Sequence, residues 1–139
     1  VLDLLGQWVF DVNGEQRALH FSGGLLGHWA VWTRKAVLML DRIKTVRGKP
    51  LFSRDWLRLA NEVTDSNAAL FDAAHAFKGC IAGIQQVLFQ QGLLSSPHCL
   101  LSGEVLSPGQ LELLDTVRER YPQLVDDTFI EEHIESWMR

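Results

Sequence analysis

The residues in this chain that could do chemistry are five histidines, two cysteines, four lysines and a glycine-rich turn. The turn is HFSGGLLG, residues 20–27, ahead of a long apolar-periodic run. Glycine backbone leading into a helix N-terminus can hold an anion, because free N–H groups and the helix dipole point to the same place. The order S-G-G-L-L-G is neither a Walker loop nor a dinucleotide fingerprint. The competing reading is that small residues let a strand turn sharply and a helix pack close. Asp72 and His75, three apart on an expected helix, can meet on one face. A carboxylate that orients an imidazole is an acid–base device, and also an ordinary surface pair. Asp65 and Asn67 are a similar polar couple.

Metal and nucleophile chemistry find less to work with. Structural zinc wants close pairs such as C-x₂₋₄-C or H-x₃₋₅-H. Cys80 stands 19 residues before Cys99, with His98 beside the latter, so the spacing is wrong and no metal or other cofactor is expected. The segment EEHIE at 131–135 lacks the order that puts two histidines one helical turn apart. Free buried thiols are the reading for both cysteines. Cysteine catalysis needs a histidine partner, and His20, His28 and His75 all stand too far along the chain for sequence to argue proximity. A Schiff base needs a lysine kept neutral in an apolar pocket. Lys35, Lys44, Lys49 and Lys78 fall on solvent-facing helix positions or in loops.

The elements that must position these groups belong to one compact domain: 139 residues, 47% hydrophobic. A net charge of −4, with basic residues scattered singly among acids, gives no stripe to neutralise phosphates or an anionic membrane, so neither nucleic acid nor membrane is an expected partner. No apolar run reaches the ~20 residues of a membrane span and no signal pattern opens the chain, which points to the cytoplasm. The chain starts on Val1 already in a helical pattern, which reads as a beginning cut from something longer.

The first helix is predicted from residue 1 to Phe10 or Asp11, stopped by Asn13-Gly14. RALHF, 17–21, is a short strand. Residues 24–46 form a long helix with apolar positions 26, 29, 30, 37, 40 and 43. Ser53 caps a helix over 54–76, CIAGIQQVLFQQ forms the next until Gly92, and Ser107-Pro108-Gly109-Gln110 begins another in capping-box order. A last helix starts near Asp126 or Asp127. The expected class is therefore mainly α, six helices with one strand. A lone strand leaves its backbone groups unpaired, so it needs partners from outside the chain.

The ordered series ALFD (69–72), GCIAGI (79–84), Gly92-Leu93, Leu106 and Ser107-Pro108-Gly109-Gln110 resembles the C-terminal end of the dihydrodipicolinate synthase and N-acetylneuraminate lyase superfamily. The resemblance implies the last part of a (β/α)₈ barrel in residues 1–46 (helix 7, strand 8, helix 8) and a C-terminal helical extension in 47–139, together one compact unit. It also implies class I aldolase chemistry on pyruvate or a related 2-oxo acid, through a Schiff-base lysine that lies on an earlier strand and has no counterpart here. Ser22, Gly23 and Gly24 match the family's pocket-lining end of strand 8. His20 stands with them as a candidate substrate contact, although the family has small or aliphatic residues there. The partners implied are the missing barrel portion or sister subunits of a homo-oligomer. The alternative is a non-enzymatic helical interaction module, its five tryptophans and apolar helices forming a bundle or dimer interface.

Overall fold

A computed structural model describes residues 1–138. The chain is mainly helical, with seven α-helices and a two-stranded sheet among the described residues. In order these are α1 (Leu2–Leu5), β1 (Trp8–Val12), β2 (Glu15–Leu19), α2 (His28–Val31), α3 (Thr33–Val46), α4 (Asp55–Leu70), α5 (Cys80–Gln90), α6 (Gln110–Arg120) and α7 (Asp127–Trp137).

The largest departure from the sequence reading is at the start. The predicted first helix stops at Leu5, and Trp8–Val12 is a strand. It pairs antiparallel with Glu15–Leu19, Trp8 opposite Leu19 and Phe10 opposite Arg17. Asn13 and Gly14 both take positive φ, 56° and 84°, the two-residue turn whose twist suits a hairpin. Asp11 fixes it by accepting the Gly14 N–H at 2.9 Å. RALHF is therefore not a lone strand that waits for outside partners. Its partner is the segment read as helix, where the Asn13-Gly14 turn and the strand-favouring Trp8, Val9, Phe10 and Val12 outweigh a helical period that only the first turn sustains.

The predicted helix over 24–46 also divides. Gly27 takes φ 66°, α2 makes one turn, and Trp32 interrupts before α3 begins. The break is stabilised from far away in sequence: the Asp126 carboxylate accepts the Arg34 and Lys35 N–H groups at 2.8 and 2.9 Å and so caps α3. The helix over 54–76 ends at Leu70, because Asp72 and then Ala76 and Phe77 adopt left-handed backbone. It begins at Asp55, one residue later than expected, with Arg54 at the N-cap in place of Ser53, whose hydroxyl still accepts the Asp55 N–H at 3.2 Å. Gly92, φ 75°, closes α5 as predicted, and α7 begins where expected.

Two apolar clusters hold the helices. Val31, Trp32, Leu70, Val87, Leu114 and Val117 join α2, α4, α5 and α6. Met39, Ile43, Trp56, Val63 and Leu124 join α3 and α4 to the turn before α7. Close approach of α5 to the end of α4 depends on Gly83, where a Cβ would stand 2.3 Å from the Leu70 carbonyl oxygen. The hairpin contributes to neither cluster: all ten of its strand residues are exposed.

Candidate functional site

The glycine-rich turn lies between β2 and α2 as exposed coil. His20, half-buried, donates Nδ1–H to the Gly6 carbonyl at 3.0 Å, because a carbonyl can only accept. Phe21 sets its ring edge-on to Trp8, 6.1 Å between centroids, and its carbonyl accepts from Arg47. Gly24 lies against the Trp29 indole, where a Cβ would come within 2.2 Å of Nε1. Gly23 is near Leu40. Ser22, Gly23 and Gly24 begin three residues after the end of β2 and are exposed, and of the two glycines only Gly24 stands where a Cβ would be crowded. The one-turn helix α2 has too few aligned N–H groups to make an anion cradle. What surrounds the turn is apolar. Trp8, Phe10, Leu19, His20 and Phe21 line an open cavity of about 390 Å³, and Leu25 and Leu26 are exposed beside it, at 91% and 77%.

The second candidate, Asp72 and His75, does come together, though in a turn instead of on a helix face. Asp72 Oδ1 accepts from His75 Nδ1 at 2.6 Å. The carboxylate's other oxygen accepts the Gly79 N–H at 2.9 Å and the Ser107 hydroxyl at 2.5 Å. Burial pushes the Asp72 carboxyl upward, but the bonds from Ser107, His75 and Gly79, with the His75 charge, outweigh it and hold the group below the usual carboxylate range. Gln110 closes the arrangement, donating to the Gly79 and Ala69 carbonyls at 3.0 and 3.3 Å and accepting the Ser107 N–H at 3.1 Å. Ser107 and Gln110 were legible only as a helix start. The capping box is half made, since Gly109 occupies the N-cap and the Ser107 hydroxyl goes to Asp72. Serine here bonds the carboxylate, not the imidazole, so the trio is not a nucleophilic triad. It ties the end of α4, the 72–79 turn and the start of α6 together.

The remaining candidates do not converge. Asp65 accepts from Tyr121 at 2.9 Å, and the buried Asn67 oxygen lies near Gly27 without a partner. Cys80 and Cys99 are free and half-buried. Burial and then the Glu104 charge push both thiols up, which makes them poor nucleophiles at neutral pH. Among the described residues no three His, Cys, Asp or Glu side chains gather around a common point. Lys44, Lys49 and Lys78 are exposed and Lys35 is half-buried on α3. Among the described residues no helix is long and apolar enough to cross a membrane. No family model, curated protein or solved structure matches the chain.

Proposed function

We propose that this chain is a docking unit of a larger assembly, and that the assembly is a dihydrodipicolinate synthase-like lyase to which it supplies the last barrel elements and the helical layer. The observation that carries the reading is the uncovered apolar surface of residues 8–26. Trp8, Phe10, Leu19 and Phe21 share one side of the hairpin, each about half exposed, and Leu25 and Leu26, a few residues on in the chain, are exposed as well. A two-stranded hairpin needs a third strand or a helix against its apolar face to be stable in water. Missing barrel strands would supply that cover and would bring Ser22, Gly23 and Gly24 to the rim of a pocket for a 2-oxo acid. The nucleophilic lysine would stand on those strands. This chain's part is to close the pocket and to carry the assembly's subunit contacts through its helices.

The reading makes a structural demand. An eighth barrel strand is paired in parallel on both edges, whereas β2 holds β1 antiparallel on one edge. In the assembly β1 must leave β2. The antiparallel hairpin favours the second reading, a self-contained helical module that oligomerises through the same apolar surface.

Intact mass of the native protein, followed by borohydride trapping with pyruvate, separates the two. The lyase reading expects a mass well above 15.7 kDa, with the trapped adduct on a lysine outside residues 1–139. A native protein of 15.7 kDa, or an adduct on Lys35, Lys44, Lys49 or Lys78, would overturn it.

A further inference from the structure

Between α3, α4 and the turn at Gln123-Leu124 runs a groove formed by two adjoining hollows of about 370 and 230 Å³. Arg42, Leu59 and Gln123 line both. Its floor is apolar, made by Met39, Leu59 and the mostly buried Trp56. Its polar groups are unequally occupied. Glu62 accepts from Gln123 at 3.0 Å and pairs with Arg58 at 3.7 Å. Asp55 accepts the Ser53 hydroxyl at 2.8 Å and pairs with Arg58 at 3.6 Å. Both carboxylates, with Arg58, are therefore committed within the wall.

Arg42 is not. Its guanidinium carbon lies 5.3 Å from the centre of the Trp56 ring. The ring face helps to position the guanidinium, and among the described residues no carboxylate or carbonyl accepts a bond from it. Lys35, at the other end of the groove, likewise makes no side-chain ion pair among the described residues, although the Asp126 charge is close enough to interact with it. Asp55 and Glu62 are thus each paired with Arg58 and a neighbouring donor, whereas Arg42 and Lys35 carry positive charge with no paired carboxylate among the described residues, over an apolar floor. A total volume of this order is that of small-molecule sites, in which an apolar lining is oriented by a few polar groups.

We infer that this groove binds a small organic carboxylate with an apolar body, its carboxylate on the Arg42 fork and its chain over Met39, Leu59 and Trp56. A planar fork and a carboxylate match in a bidentate pair. An amine would meet Arg42 with like charge, and an alcohol would leave the fork half used. The site lies in the helical part of the chain and does not depend on the lyase reading.

The test is an NMR titration of the chain with hexanoate, following the Trp56 indole N–H and the Leu59 methyls, with hexanol as the neutral control. The expected result is saturable shifts at both probes with hexanoate, binding about tenfold weaker in Arg42→Gln, the loss of one charged, oriented contact, and a similar weakening for hexanol against the unaltered protein. Arg42 is exposed, so its replacement leaves the core intact; should that variant nevertheless fail to fold, Lys35→Gln reads the same groove and is expected to weaken hexanoate severalfold. No saturable shift, equal affinity in the folded variant, or equal binding of hexanol and hexanoate would each overturn the assignment.

Discussion

His28 gives this fold a measurable acid sensitivity. It is 2% exposed, packed against Trp32 with ring centres 4.9 Å apart and planes tilted by 56°, and its Nε2–H donates to the Leu124 carbonyl at 2.8 Å, which leaves Nδ1 as a buried lone pair with no partner among the described residues. A second proton would place a charge and an orphaned N–H in the core. Burial therefore lowers its pKa from 6.5 to about 4, although the bond to Leu124 works the other way. Below pH 6.5 the unfolded chain takes up a proton that the folded chain refuses. Stability is then complete above 6.5 and falls with pH until the folded group titrates near 4, a total loss of about 3 kcal/mol at ~1.4 kcal/mol per unit. By pH 5 about 2 kcal/mol of this is gone. Gln in place of His28 can keep a donor towards Leu124 but does not titrate. Urea unfolding followed by tryptophan fluorescence at pH 7, 6 and 5 should show the wild-type protein losing stability relative to His28→Gln by that amount. Asp126, whose carboxyl burial pushes up, contributes with opposite sign to both proteins and cancels in the difference. Parallel pH curves for the two proteins would refute the reasoning.

Asp72→Asn removes an ionised acceptor of three donors and turns an NH₂ towards them; a loss of about 2–4 kcal/mol at pH 7 is expected in denaturant titration. Because the Asp72 carboxyl lies below its ordinary 3.8, its contribution is whole above that pH and lost as pH falls through the folded value, so the variant should lack that part of the acid limb. Gly83→Ala should destabilise by about 1–2 kcal/mol despite the ~1 kcal/mol alanine gains in a helix, since the new Cβ meets the Leu70 carbonyl oxygen and the Gln110 amide; a higher melting temperature would contradict this. Asp126→Ala uncaps α3 and should cost about 1–2 kcal/mol, with faster amide exchange confined first to residues 33–36, while Asp126→Asn should cost less.

The bodies of α3 to α7 were legible from their helical period, and some of their ends from local signals: Ser53 just before α4, Gly92 after α5, Asp126-Asp127 at the start of α7. What was not legible is what tertiary structure supplies. The cap of α3 comes from Asp126, 92 residues away from Arg34, and nothing near Trp32 announces the break. The left-handed backbone at Asp72 is fixed by Gly79, Ser107 and Gln110, so ALFDAAH reads as continuing helix until those partners are in place. His75 with Asp72 was visible at spacing three; Ser107, 35 residues from Asp72, was not. The hairpin failed for a different reason. Asn13-Gly14 is a strong hairpin turn, but Leu4, Leu5, Trp8 and Val9 also satisfy a helical period, and W-V-F-D-V and E-Q-R-A-L, with no side buried, carry no alternation of apolar and polar residues to mark them as strands.

That last ambiguity is physical as well as textual, and it bears on the lyase reading. A segment whose ten strand residues are all exposed, and which the Arg47 bond to Phe21 ties to α3 from the adjoining coil, gains little from its present pairing. An incoming parallel strand would offer β2 the same backbone bonds, and the elements around it would cover Leu19 and Phe21 as well. At roughly 25 cal/mol for each Å² of apolar surface covered, those two half-exposed side chains are worth a few kcal/mol, which favours exchange of β1 for a parallel partner. Exchange protection should therefore be low at residues 8–19 in the isolated chain and close to that of α4 in the native assembly. Strong protection of the hairpin in the isolated chain would mean that β1 and β2 are held together on their own, and would favour the interaction module.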